Sequence, residues 1–259
     1  MPQVEVIIIL TLVGGVGALV GGVLLLLGKK ISKGLVHLLV SFAAGALLGT
    51  AFFELLPEAL EHAEEVANAG GGEINVFLWV LGGMLFFYLL DRGIHWFQYH
   101  QKVNKGKHTS VNIPLVILGD SVHNFIDGVV ISITYIVNPA AGLITTFATV
   151  AHEIPQEIGD FAILLHEGMK RKKVLIINIF SALLSVAGGL LAFFIGERIE
   201  GIIPYSLSLT TGFFLYIALT NLLPEIHHEE KEGYAFWESL FLILGIVSIF
   251  LATSYIPHG

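Results

Sequence analysis

The chain has 259 residues, 55% of them hydrophobic and only 13% charged, with a mean hydropathy of +0.81. Soluble domains carry roughly 25% charged residues, so a water-covered globule is excluded. Cysteine is absent, which excludes a disulfide framework and a thiolate metal site, and the formal charge of −8 is informative only through its distribution.

Eight apolar segments follow one another at approximately 6–27, 34–57, 75–94, 112–137, 139–166, 174–196, 203–225 and 234–255. Each is long enough, at 1.5 Å per helical residue, to cross a hydrocarbon core of about 30 Å. The first has no basic region before it and no small-residue cleavage site, so it is expected to stay as an anchor. Lys29, Lys30 and Lys33 precede segment two. Arg92, Lys102, Lys105 and Lys107 precede segment four, and Lys170, Arg171, Lys172 and Lys173 precede segment six. The alternate loops are nearly free of base, Arg198 excepted. Basic loops favour the cytoplasm, so both termini are expected outside it, in a multi-pass protein of the cell (plasma or inner) membrane. The loop after segment two, with Glu58, Glu61, Glu64, Glu65 and Glu73, is then external and acidic. Glu58, Glu61 and His62 are candidates for gathering cations there, with helix-end solvation as the plainer explanation.

The stretch 45–58 (GALLGTAFFELLPE) aligns without gaps with 212–225 (GFFLYIALTNLLPE). Segments two and seven are expected to run in opposite directions, which makes the match an inverted repeat of helices 1–3 and 6–8, a recurring basis of alternating access. A shared Leu-Leu-Pro-Glu helix ending is the alternative. No appended soluble domain or low-complexity linker is evident, so residues 1–259 read as a single transmembrane domain. Glycine is abundant, with Gly14, Gly15, Gly21 and Gly22 in segment one, and permits close helix approach.

Segments four and five contain residues a bilayer resists. The fourth has Asp120, His123, Asn124 and Asp127, and the fifth has His152, Glu153, Gln156, Glu157 and Asp160. An ionisable group at the bilayer centre costs at least ~2.5 kcal/mol even on a lenient scale. His123 and Asp127 are four apart and Asn124 and Asp127 three apart, so they share a helix side. His152 and Gln156 do likewise, while Glu153, Glu157 and Asp160 continue the stripe toward the cytoplasm. No Lys or Arg lies near to pair with them. Facing helices bring imidazole, amide and carboxylate groups together, a sulfur-free set suited to Zn²⁺, Fe²⁺, Mn²⁺ or Co²⁺. Pro155, inside the stripe, is expected to kink the helix and free the Ala151 carbonyl, as beside a pathway.

His123-Asn-Phe-Ile-Asp-Gly128 and His152-Glu-Ile-Pro-Gln-Glu157 resemble the signature stretches of helices four and five of the ZIP (ZRT/IRT-like) metal transporters, and Gly159-Asp-Phe-Ala-Ile-Leu-Leu165 follows that family's pattern. The resemblance covers essentially the whole chain. It implies an all-α integral membrane protein of eight transmembrane helices, an inverted repeat around a helix 4/5 metal-binding pair, and no enzyme activity. It also implies a binuclear-type site at His123, Asn124, Asp127, His152, Glu153 and Gln156, moving Zn²⁺ first, and Fe²⁺, Mn²⁺ or Cd²⁺ as alternatives, toward the cytoplasm. Gln156 departs from the His or Glu often found there, and a neutral amide binds cations more weakly. The loop between helices three and four is short, with only His100 and His108, where well-known members carry a long His-rich one.

Further pathway candidates are Glu54, one turn from Thr50, its repeat partner Asn221, and Asp120, Glu157 and Asp160. His227 and His228, with Glu229 and Glu230, are placed to receive metal on exit or to form a solvated loop. No resident cofactor is expected; the divalent metal is the transported substrate. The expected partners are metal ions and the lipid bilayer, with no nucleic acid and homodimerisation open. Two other functions use the same residues. His152-Glu153 begins like the His-Glu-x-x-His motif of an intramembrane zinc metalloprotease, but Gln156 stands where the second histidine belongs. A proton-coupled carrier of a non-metal substrate needs the carboxylates and not the paired His and Asn.

Overall fold

The computed structural model describes residues 3–27, 32–105, 113–166, 168–196, 202–227 and 234–255, the side chains of 33, 94–105, 115, 196, 225, 227 and 255 excepted. His108, His228, Glu229 and Glu230 lie outside the described residues, as do the side chains of His100 and His227.

Helix α1 (Gln3–Leu26) tightens to a 3₁₀ turn at Val16–Leu19, among its glycines. These glycines are where α1 closes on its neighbours. A β-carbon on Gly14 would stand 2.8 Å from Ile131 Cδ1, and one on Gly15 would stand 2.6 Å from the Ala182 carbonyl. Helix α2 starts at a Ser32 cap, whose hydroxyl accepts from the Leu35 N–H at 3.2 Å. It runs through three continuous stretches, Lys33–Thr50, a π-helical Ala51–Leu55, and Leu56–Asn68. It therefore continues well past the expected end at 57. Pro57 occupies the second position after the π turn, where a missing N–H is least damaging. Beyond it the pattern turns amphipathic, with Ala59 and Ala63 buried and Glu61, Glu64 and Glu65 exposed. The chain leaves α2 through Gly70 at φ +86°.

Helix α3 (Val76–Lys105) also outruns the expected 75–94, so Arg92, Lys102 and Lys105 ride on the helix instead of a loop. Helices α4 (Ile113–Val137) and α5 (Pro139–His166) are separated by Asn138 alone. The Asn138 N–H donates to the Thr134 carbonyl at 2.9 Å, closing α4, while its side-chain oxygen accepts from the Ala140 N–H at 2.9 Å, opening α5. Helix α5 is continuous through Pro155. Helix α6 (Arg171–Gly196) is tied at its start to the end of α1, the Arg171 guanidinium donating to the Leu26 carbonyl at 3.0 Å. Helix α7 consists of Ile203–Tyr216, a π-helical Ile217–Leu222, and Leu223–His227, and α8 is Tyr234–Tyr255. The π turn of α2 at Ala51–Leu55 aligns with 218–222, inside the π turn of α7.

Among the described residues, α1, α2, α3, α4, α6, α7 and α8 contain the 7 stretches long and apolar enough to cross a membrane. Helix α5 is long enough but is interrupted by His152, Glu153, Gln156, Glu157 and Asp160. It packs on α1, α2 and α4. Helix α4 packs along α6, α2 along α8 and α3 along α7. Each closes over glycine: a β-carbon on Gly128 would fall on the Ser185 carbonyl, one on Gly45 on that of Leu242, and one on Gly212 on that of Val80. Phe77, Leu81, Phe86, Phe180, Phe194 and Phe236 remain exposed, a surface made for hydrocarbon and not for water.

Candidate metal centre

Four side chains from α4 and α5 converge in the interior. Asp127, His152 and Glu153 are buried, and His123 keeps 17% of its side chain exposed. Helical spacing aims each pair: His123 and Asp127 sit one turn apart on α4, and the adjacent His152 and Glu153 on α5 straddle the facing surface. His123 Nε2 is 3.2 Å from His152 Nε2 and 3.2 Å from Glu153 Oε1. His152 Nε2 is 3.2 Å from Asp127 Oδ2, and the two remaining imidazole–carboxylate distances are 3.8 Å. All four ligand atoms lie within 4.8 Å of one another. A tetrahedron with metal–ligand bonds of ~2.0–2.1 Å has edges of about 3.3–3.4 Å, so these four atoms stand close to the spacing a zinc-sized ion requires.

The protons follow from the hydrogen bonds. His152 Nδ1 lies 3.0 Å from the Ala148 carbonyl oxygen, which only accepts, so Nδ1 carries a hydrogen and Nε2 is the ring nitrogen turned to the cluster. Neither oxygen of Asp127 or of Glu153 receives a hydrogen bond of good geometry. Buried lone pairs turned on one another repel, and a cation among them reverses the sign. Phe213 stands edge-on to the His123 ring at 5.6 Å and Phe214 to the His152 ring at 6.4 Å, so α7 walls the imidazoles with apolar surface.

On one side of the cluster lies a cavity of about 410 Å³. It runs from His123 and Gln156 to Val116, Asp91 and Ile163, toward the ends of α3, α4 and α5 that carry the α3–α4 and α5–α6 connections. Asp120, Asp160 and Asn221 also line it, and among the described residues no Lys or Arg does. On the other side buried Val130, Ala148, Leu207 and Phe214 pack into the apolar core.

The remaining sequence candidates take separate places. Asn124 turns its amide to Asp120, Nδ2 donating to Oδ1 at 2.9 Å, and Gln156 lines the cavity. Glu157 is fully buried. Glu54 is buried within the α2 π turn, and Asn221 is exposed within that of α7, accepting from the Thr220 hydroxyl at 2.9 Å. The Thr50 hydroxyl is spent on the Ala46 carbonyl at 3.0 Å. His62 pairs with Glu65 at 2.8 Å on the exposed end of α2. Sequence reasoning missed Asp91 and Tyr216, whose hydroxyl donates to Asp91 Oδ2 at 2.9 Å across the cavity wall. The signal was a carboxylate inside an apolar segment, masked by the adjacent Arg92.

A multi-pass helical bundle with a buried imidazole–carboxylate cluster beside a carboxylate-lined cavity is the architecture of a membrane metal-ion carrier. The sequence profile of the ZIP zinc transporter family matches residues 4–115 and 104–253. Zinc transporter ZIP13 of Pongo abelii is 34% identical over 225 residues, covering 84% of this chain and 67% of that protein. ZIP13 of Mus musculus is 29% identical over 253 residues, covering 84% and 70%. Zinc transporter ZIP6 of Homo sapiens is 36% identical over 151 residues, covering 56% of this chain but only 20% of that longer protein. The chain belongs to the ZIP zinc transporter family. This is a family of membrane transporters and not of enzymes.

Proposed function

We propose that the chain carries a divalent transition metal, zinc first, across the bilayer through the centre between α4 and α5, with Fe²⁺, Mn²⁺ and Cd²⁺ as further substrates. The observation that carries this reading is the tetrahedron of His123 Nε2, Asp127 Oδ2, His152 Nε2 and Glu153 Oε1, whose five edges to an imidazole nitrogen are 3.2–3.8 Å. Two neutral nitrogen ligands and two carboxylates leave a divalent ion nearly uncharged, which removes the penalty of burying either alone. Asn124 and Gln156 flank the tetrahedron and make the centre binuclear in type, with a weaker second position. The names of the ZIP13 and ZIP6 relatives support zinc as substrate.

In this reading all of 1–259 forms one transporter unit and α5 spans the membrane with the other seven helices, its polar groups covered by protein and cargo. The basic connections mark the cavity end as cytoplasmic, and both termini lie outside. Cations collect at the acidic extension of α2, lose water, bind between α4 and α5, and leave through the cavity, with no Lys or Arg among the described residues of its wall to repel them. Movement of the α4–α5 pair relative to α2 and α7 opens the opposite side. The aligned π turns at Ala51–Leu55 and Ile217–Leu222, and the matching pairings of α2 with α8 and α7 with α3, support an inverted repeat as its basis.

The test is uptake into proteoliposomes of the purified chain, comparing Zn²⁺, Fe²⁺, Mn²⁺ and Cd²⁺, beside a His152→Ala, Glu153→Ala variant. Saturable flux lost in the variant is expected. Absence of flux for every metal with folded protein would overturn the reading in favour of a metal-bound enzyme or a proton-linked carrier.

A further inference from the structure

A second groove, of about 440 Å³, runs between α3, α4 and α7. Phe125, Val129 and Ile133 of α4 form one wall and Leu209 of α7 another, and among the described residues no ionisable side chain lines it. Phe86 of α3 is at its lip and is 58% exposed, so the groove opens on the lipid-facing surface. Its depth in the bilayer follows from the helices. It extends from Ser206 to Phe213 along α7 and from Ile133 to Phe125 along α4, about 10–12 Å at 1.5 Å per residue. One leaflet of a ~30 Å hydrocarbon core is about 15 Å deep, so the groove matches a single leaflet. At its Ser206 end, Trp79 of α3 and Tyr205 of α7 meet edge-on at 4.9 Å, an aromatic pair of the kind that sits at headgroup level. At its other end, Phe87 and Phe213 stack at 4.0 Å between ring centres. These two rings and Ile126 line both this groove and the cavity beside the metal centre, and Phe213 stands edge-on to His123 at 5.6 Å.

We propose that this groove is a binding site for one acyl chain of a bilayer phospholipid, drawn from the leaflet at the starts of α3 and α7. Packed interiors leave few voids larger than a water molecule, and a groove with these walls that opens on hydrocarbon takes in hydrocarbon. The headgroup stays beside Trp79 and Tyr205, and the end of the chain rests on the Phe87–Phe213 pair. That pair is then wetted from the cavity side alone, and the lipid tail completes the apolar wall behind His123. The site depends on membrane residence and not on which ion the centre carries.

The purified chain in nanodiscs containing a phosphatidylcholine with a photoactivatable diazirine near the end of one acyl chain tests this, with labelled residues located by mass spectrometry. Any outward-facing residue meets lipid, so Phe180 and Phe236 are expected to be labelled in every case. Val130 and Phe213 are buried and line the groove, and label on them requires a chain inside it. Val129→Phe and Ser206→Phe, which fill the groove from α4 and from α7, should lose the label on Val130 and Phe213 and keep it on Phe180 and Phe236. Wild-type label confined to outward-facing residues, as when a second copy of the chain covers the groove, overturns the proposal. So does label on Phe213 that persists in both filling variants. The wild-type pattern decides alone if the variants fail to fold.

Discussion

His152 turns one ring nitrogen to the Ala148 carbonyl at 3.0 Å and the other to Asp127 Oδ2 at 3.2 Å, so a backbone oxygen of α5 fixes which face of the imidazole meets α4. Removing the imidazole leaves Asp127 and Glu153 with His123 as their one nitrogen neighbour in the cluster. His152→Ala should weaken zinc binding by more than the 10–100-fold that outer partners of metal sites typically contribute. Competition titration with a zinc chelator measures this, and near-wild-type affinity would remove His152 from the centre.

Gln156 stands one turn from His152 on the cavity wall. Replacing its amide by imidazole, Gln156→His, should raise zinc affinity roughly tenfold, about 1.4 kcal/mol. Release should slow in parallel, lowering maximal uptake while reducing the zinc concentration for half-saturation. Equal or faster turnover at tighter binding would contradict a release-limited cycle.

Tyr216 and Asp91 join α7 to α3 through one hydrogen bond of 2.9 Å. Tyr216→Phe keeps the ring and deletes the donor, at an expected cost of about 1–2 kcal/mol when the acceptor is a carboxylate. A lowered thermal midpoint in detergent checks it, with Tyr205→Phe, which has a ring contact with Trp79, as the comparison.

Gly128 and Gly159 predict opposite responses to alanine. A methyl on Gly128 collides with the Ser185 backbone, whereas one on Gly159 meets nothing within 4 Å. Gly128→Ala should cost at least about 1–3 kcal/mol through forced separation of α4 and α6. Gly159→Ala should be neutral or stabilising by up to ~1 kcal/mol from helix propensity. Thermal unfolding of the two variants side by side decides it.

The cluster residues were legible in the sequence because helical spacing alone puts His123 with Asp127 and aims His152 and Glu153 at a facing helix. Apolar runs likewise announced the helices, since length against bilayer thickness is a one-dimensional property. Helix ends were less legible. Pro57 and the glutamates after it end the apolar run without ending the helix, because an amphipathic continuation no longer needs lipid. The π turns at Ala51–Leu55 and Ile217–Leu222 leave no mark in residue type. The Asp91–Tyr216 bond was hidden because its partners are 125 positions apart and only the packing of α3 on α7 joins them.

Asn138 is the whole connection between the two helices that carry the centre, and its backbone and side chain close one while opening the other. A joint without slack forbids the two arms from sliding past each other by a helical turn. His123 and Asp127 therefore cannot part from His152 and Glu153 lengthwise. On the proposed reading the cargo's grip is cast in one piece: it must travel as a unit or loosen by splaying at the far end of the hairpin, where Asp120 and Asp160 face the cavity.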